Sequence, residues 1–222
     1  MSIVQQHFDK EAAQYDYWKK RNWYYYNAIK NIYEERIPAN SSVLEIGCGT
    51  GDILAHVCQG RCVGIDISSE MIEIAKQKYS EFAWYACTVS DLYAYLDETF
   101  DVVFLSDVIE HLEDVDSTFR DCSRFCHNGT RLIINMANPL WEPILLILEK
   151  FKMKMPEGPH RRISVKTLSE ILKRYGFHLQ KRSFRLLFPK HIPLLSRFFN
   201  LIGRLPVIRR LCLIEILEYR LI

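Results

Sequence analysis

The chain has 222 residues, 49% of them hydrophobic, with 29 Lys and Arg against 27 Asp and Glu and a formal net charge of +2. That length and apolar content suffice for an α/β fold with a sizeable core and exclude a disordered polypeptide. The even charge balance excludes the strong overall field that gathers nucleic acid, and apolar runs such as PILLIL are far too short to span a bilayer.

In chain order, residues 2–15 and 21–36 read as helices. The second (RNWYYYNAIKNIYEER) spaces its aromatic and apolar positions along a face and is stopped at Pro38. The first twenty residues are polar and charged with no apolar core, so no signal peptide is expected. Strands and helices then alternate. SVLEIG (42–47) reads as a strand, 51–58 as a helix, CVGID (62–66) as a strand, and 69–79 as a helix capped by Ser68 or Ser69. FAWYA (82–86) and FDVVFLS (100–106) are further strands. Residues 114–126 form a helix, and TRLIINMA (130–137) is a fifth strand after an Asn128-Gly129 turn. This β-α-β-α order predicts a parallel sheet with helices on both faces.

After the fifth strand the alternation breaks. A short apolar helix and a Pro/Gly loop form an insertion, which is expected over the carboxyl ends of the strands, where open α/β sheets bind ligands. VKTLSEILKRYGF is an amphipathic helix ending at Gly176, FHLQKRSF a strand, HIPLLSRFFNLIGRLPVIRRL an apolar, basic and helical tail, and CLIEILEYRLI a final strand. The seven cysteines (Cys48, Cys58, Cys62, Cys87, Cys122, Cys126, Cys212) are odd in number and contain no C-x-x-C pair, so free thiols in a reducing cytosol are expected. Cys122, Cys126 and His127 lack the second ligand pair of a metal site, and no metal is expected.

The loop Gly47-Cys48-Gly49-Thr50-Gly51 follows the first strand of the alternation. Its third glycine comes one residue too early for a dinucleotide G-x-G-x-x-G, and no Gly-Lys-Ser/Thr makes it a Walker loop. Glu45, two residues before the loop, would repel a pyrophosphate but suits a cationic or amino-bearing ligand. Asp66 and Asp91, after the next two strands, add acids for hydroxyls or an amine. The expected ligand has a ribose, an amine and a positive centre, but no phosphates.

VLEIGCGTG (43–51), GIDIS (64–68), VSDL (89–92), FDVVFLSDVIEHLED (100–114) and TRLIINMAN (130–138), in that order and spacing, resemble the class I S-adenosylmethionine-dependent methyltransferases. The resemblance implies a Rossmann-like, seven-stranded, mostly parallel sheet whose last strand is antiparallel. It implies one domain over 1–222: a helical cap (1–40), a cofactor-binding half (41–138), a cap insertion (139–165) and a C-terminal part (166–222). It also implies that Glu45, Gly47, Cys48, Gly49 and Gly51 shape the pocket for the methionine part of the donor, and that Asp66 binds the ribose. Ile67 and Met71 would pack on adenine, Asp91 would take its amino group with Leu92 nearby, the backbone at Ser106 and Asp107 would hold the donor's amino group, and Tyr15 would touch its carboxylate.

Two histidines compete as general base for a hydroxyl acceptor. His111 follows the fourth strand. His160, in PEGPHRRIS, resembles in part the G-T-H loop of quinone-pathway O-methyltransferases. The segments RNWYYYNAI, LWEPILLILEKFKMKMP and LLFPKHIPLLSRFFN look like those of methyltransferases of lipid-linked glycan pathways. The expectation is therefore O-methylation of a hydrophobic or lipid-linked small molecule by a cytoplasmic monomer or homodimer. It has no nucleic-acid partner and touches the membrane peripherally through its apolar, basic C-terminal segment. N- or S-methylation, a non-catalytic donor-binding subunit and a nicotinamide oxidoreductase are the alternatives, the last disfavoured by glycine spacing and the lack of a Tyr-x-x-x-Lys pair.

Overall fold

The computed structural model describes residues 1–156 and 158–222. Two helices, α1 (Ile3–Arg21) and α2 (Trp23–Glu34), lead into β1 (Val43–Ile46), α3 (Asp52–Val57), β2 (Cys62–Asp66), α4 (Ser69–Lys78) and β3 (Ala83–Ala86). A one-turn helix α5 (Val89–Leu92), β4 (Phe100–Ser106), α6 (Val115–Cys122) and β5 (Cys126–Ala137) follow. The chain then runs through α7 (Glu142–Lys150), α8 (Val165–Arg174), β6 (Phe177–Arg185), α9 (Leu195–Ile202) and β7 (Ile214–Leu221). The seven strands form one sheet in the order β3-β2-β1-β4-β5-β7-β6. β1 to β5 pair in parallel, and β7 runs antiparallel between β5 and β6. The sheet is the Rossmann-like one expected, and the chain order reverses direction at β1, beside β4.

Period-2 alternation sorts the strand residues between two cores. Leu44, Ile46, Val63, Ile65, Val103 and Leu105 face the core covered by α5, α6 and α8. Val43, Cys62, Val102, Phe104 and Ile133 face the core covered by α2, α3 and α4. Glu45 and Asn135 fall on this second face by the same parity, and both are buried. At Gly64 of β2 a Cβ would meet the Trp84 ring at 2.3 Å, so a missing side chain gives the β3 indole its place.

The structure departs from the sequence expectations in three places. Cys58 and Cys62 are paired in a disulfide across the α3–β2 loop, their Cα atoms 6.1 Å apart, so the seven cysteines are not all free. Asn128-Gly129 is no turn between elements: β5 begins at Cys126 and carries the pair as an irregularity, with Gly129 at φ +99°. The Thr130 hydroxyl holds that kink by donating to the Phe100 carbonyl. α1 continues to Arg21, past the expected end near residue 15, because Asn22 rather than a local breaker ends it.

Candidate active site

The turn after β1 is built on three left-handed residues, with φ +75° at Gly47, +51° at Gly49 and +81° at Gly51. At Gly47 a Cβ would lie 2.4 Å from Val108 Cγ2, just after β4. The bare backbone thus lets the two loops at the carboxyl end of the sheet meet. Gly51 is the N-cap of α3 and makes room for the Trp84 ring.

Acids ring this turn. Asp66, at the end of β2, accepts from the Gly49 N–H at 2.8 Å with Oδ2 and from the Ser68 N–H at 2.9 Å with Oδ1. Each carboxylate oxygen has a further lone pair, so Asp66 can still accept from two hydroxyls. Burial pushes its pKa up, opposed by those two backbone donors. Glu45 accepts from the Leu54 N–H, which ties α3 to β1. Burial pushes its carboxyl well up, and Lys19 pulls it back.

The third acid, Asp107, stands at φ +53° after β4. Its Oδ2 accepts from the Tyr25 hydroxyl at 2.8 Å and its Oδ1 from Asn135 Nδ2 at 2.7 Å. The Tyr33 hydroxyl lies 2.6 Å from Asn135 Oδ1 and 2.8 Å from the Leu105 carbonyl. This relay, buried at Tyr33 and Asn135 and half-buried at Tyr25 and Asp107, fixes α2 to the ends of β4 and β5.

α1 closes over the turn. Thr50 donates to Asp16, Ser68 donates to Asp9, and Lys19 Nζ lies 2.9 Å from Asp52. The Tyr15 ring lies over Gly49, where a Cβ would be 3.2 Å from Cε1. Burial, then Tyr26 and Asp66, push the Tyr15 hydroxyl far above its usual value, so it stays a neutral donor. Beneath α1 lies a cavity of about 730 Å³. One part is walled by the glycine turn and its acids, another by Val4, Phe8, Leu145, Leu148, Met153 and Met155.

Of the expected residues, Tyr15, Glu45, Gly47, Cys48, Gly49, Asp66, Ile67, Met71, Asp91, Ser106 and His111 all line this cavity. Gly51, Leu92 and His160 do not line it. Leu92 is fully buried in the core under α5, and Gly51 acts on loop shape. The Asp91 carboxylate accepts from the hydroxyl of Thr88, the N-cap of α5. His111 Nδ1 lies 3.1 Å from the Pro159 carbonyl. A carbonyl only accepts, so in the neutral ring Nδ1 carries the proton and Nε2 the lone pair. His160 sits behind it, ring centroids 6.3 Å apart. Its Nδ1 faces the Gly158 carbonyl and its Nε2 faces Glu142 Oε1.

Sequence reasoning missed Lys19 and Tyr25. Tyr25 shares a helix face with Ile29 and Tyr33, at i, i+4 and i+8, both buried. That spacing separates it from its two neighbouring tyrosines.

The arrangement can hold a nucleoside with an adjacent cation. The acids supply acceptors for hydroxyls and amines, and the bare glycine backbone admits close approach. The residues present therefore fit S-adenosylmethionine.

Comparisons with known proteins agree with this geometry. A family model described as "Methyltransferase domain" matches residues 17–181. Phosphoethanolamine N-methyltransferase 1 of Triticum aestivum is 27% identical over 152 residues, covering 64% of this chain and 29% of that protein. A ubiquinone biosynthesis O-methyltransferase of Mesorhizobium japonicum is 28% identical over 127 residues, covering 54% of this chain and 51% of that one. The chain thus spans only part of the length of these two relatives. A solved structure from Thermotoga maritima, described as an SAM-dependent methyltransferase and possible histamine N-methyltransferase, superposes with a TM-score of 0.73. It is 18% identical, with 98% of this chain and 99% of that chain covered.

Proposed function

The chain belongs to the methyltransferase-domain family, and from that premise we propose that it transfers a methyl group from S-adenosylmethionine to an oxygen of a hydrophobic or lipid-linked small molecule. Such an acceptor is a glycolipid, a quinone or a polyketide-like metabolite. The donor, when bound, supplies a methyl group already made electrophilic by its sulfonium. Asp66 would accept the ribose hydroxyls, Ile67 and Met71 pack the base, Asp91 takes its amino group, and Glu45 with the Gly47–Gly49 backbone holds the methionine part. The chain's remaining task is to orient the acceptor and exclude water, a gain on the order of several kcal/mol.

The observation that carries the reading is one cavity with an acid-ringed glycine turn, an apolar wall and a histidine whose tautomer is set by a backbone carbonyl. His111 would take the proton of the acceptor hydroxyl at Nε2, worth roughly 10²–10⁴-fold. His160, paired with Glu142, would position it. The apolar wall suits a hydrophobic acceptor, and the Mesorhizobium relative is named for O-methylation. Among the described residues no helix is long and apolar enough to cross a membrane. The location proposed is cytoplasmic with peripheral membrane contact, as monomer or homodimer.

The test is a cell extract incubated with the enzyme and deuterated donor, searched by mass spectrometry for a shifted product. S-adenosylhomocysteine should raise the melting temperature and NADH should not. His111→Ala should lower turnover by at least tenfold with donor affinity kept. Unchanged turnover in that variant would instead support an amine acceptor, which brings its own lone pair. No mass-shifted product in any extract would favour a donor-binding subunit.

A further inference from the structure

Most of the exposed large apolar side chains lie in two stretches, residues 140–153 and 192–211. The first contains α7, none of whose residues is buried. Phe151 is 70% exposed, Leu194 80% and Val207 84%. Isolated apolar residues on a surface are ordinary, but a concentration of this kind is not.

The two stretches are joined where the cavity opens. Trp141 Nε1, before α7, donates to the Leu211 carbonyl. Asn22, between α1 and α2, accepts from Lys190 and donates to the Met153 carbonyl. Leu145, Leu148 and Met153 of the first stretch line the cavity, as do Pro189 and Lys190 just before the second. The exposed apolar side chains therefore form a collar on the segments that border the entrance.

Charge selects the occupant. Between Lys190 and Leu213 the sequence has four arginines (Arg197, Arg204, Arg209, Arg210) and no acid; all four are exposed. The α7 stretch is mixed: Lys150 ends the helix and Lys152 follows it, while Glu142 and Glu149 lie within it and Glu149 pairs with Lys154. The chain as a whole carries only +2, so these cations are local to the collar. An apolar surface laced with arginine and lysine matches the interface of an anionic bilayer, with apolar groups in the acyl boundary and cations at the headgroups. A protein partner or second copy would explain the apolar area but not the acid-free, arginine-rich charge of the 192–211 stretch.

We propose that this two-part collar docks on an anionic membrane surface, so that the acceptor enters the cavity from the bilayer. The proposal rests on the methyltransferase reading for the acceptor, though not for the docking itself. α9 lies with its arginine-rich surroundings at the headgroups, and α7 forms the second contact beside the cavity mouth.

Sedimentation with vesicles tests it. The full chain should bind vesicles of phosphatidylcholine with about one third phosphatidylglycerol, and bind pure phosphatidylcholine far more weakly. Raising the salt to about 0.5 M should weaken binding. Arg209→Gln with Arg210→Gln should weaken it on the order of thirtyfold, at about fivefold for each charge near the surface. Val207→Asp should weaken it too, with an unchanged melting temperature. No binding to anionic vesicles at low salt would overturn the proposal. So would equal binding to neutral vesicles, or a dimer in light scattering that Val207→Asp dissociates. The S-adenosylhomocysteine melting shift is measured on the same samples. If the shift persists without vesicle binding, only the docking fails; if binding persists without the shift, only the methyltransferase reading fails.

Discussion

The glycine-turn end of the sheet and the collar at 140–153 and 192–211 border the same cavity but are built on opposite principles. At the turn, backbone and side chains are over-determined. Three left-handed residues, the Asp66 bridge to Gly49 and the Tyr33–Asn135–Asp107–Tyr25 relay leave little room to move. In the collar, no residue of α7 is fully buried, and Ile144, Leu146 and Ile147 are exposed. A donor common to a whole family can be met by a fixed site. An acceptor that differs between members is met by a surface whose side chains are not committed to the core.

If the turn is as constrained as this, Gly47→Ala should have the largest effect. The new Cβ would lie 2.4 Å from Val108 Cγ2 at φ +75°. The left-handed conformation costs about 1–2 kcal/mol for a residue with a Cβ, and overpacking costs about 1–3 kcal/mol more. Urea unfolding should show about 2–5 kcal/mol lost, and calorimetry should show S-adenosylhomocysteine affinity reduced at least tenfold. A stable variant with intact affinity would mean that the loops separate easily.

Asp66→Ala comes next. It removes acceptors proposed for the ribose and the cap on the Gly49 N–H. Donor affinity should fall by about 1–3 kcal/mol, the range for a charged hydrogen-bond partner. A titration giving the wild-type constant would count against Asp66 as a ligand.

These two residues were legible before the structure because their chemistry is local. Glycines in a strand-to-helix turn and an acid at the end of the next strand announce themselves within a few residues. The sheet was equally legible, since alternation of short apolar runs with amphipathic helices leaves little choice of topology. What was not legible depends on contacts far apart in sequence. Lys19 meets Asp52 across 33 residues, and Tyr25 meets Asp107 across 82. That His111 lines the cavity and His160 does not is likewise a matter of packing far apart in sequence, which no spacing encodes. The Cys58–Cys62 pair was misread because an odd cysteine count says nothing about two thiols that a short loop brings together.

The clasp between α1 and the turn should give a smaller, pH-dependent effect. Burial opposes ionisation of Asp52, but Lys19 and Lys78 outweigh it and hold its carboxyl well below the usual range. A depressed carboxyl stabilises the fold fully above the unfolded pKa of about 3.9. That contribution is lost as the pH falls from there towards the folded value. Stability should therefore drop by about 1 kcal/mol or more below pH ~4 through this group, and Asp52→Asn should flatten that part of the profile. Trp18, buried on α1, gives a fluorescence signal for its release. An identical acid limb in the variant would show that α1 is held by other contacts.

The smallest effect should come from the collar, and it sharpens the contrast with the turn. Ile147 is 55% exposed on α7. In a core, removing a leucine such as Leu168, which is fully buried, costs about 2–5 kcal/mol. At an exposed position such as Ile147, where Ile and Ser have similar helix propensity, Ile147→Ser should change urea stability by no more than about 0.5 kcal/mol. A loss above about 1.5 kcal/mol that grew with protein concentration would mean that α7 is covered by a second copy in solution. The difference between the two regions would then be one of partner rather than of packing, because α7 would be as buried in the assembly as the turn is in the chain.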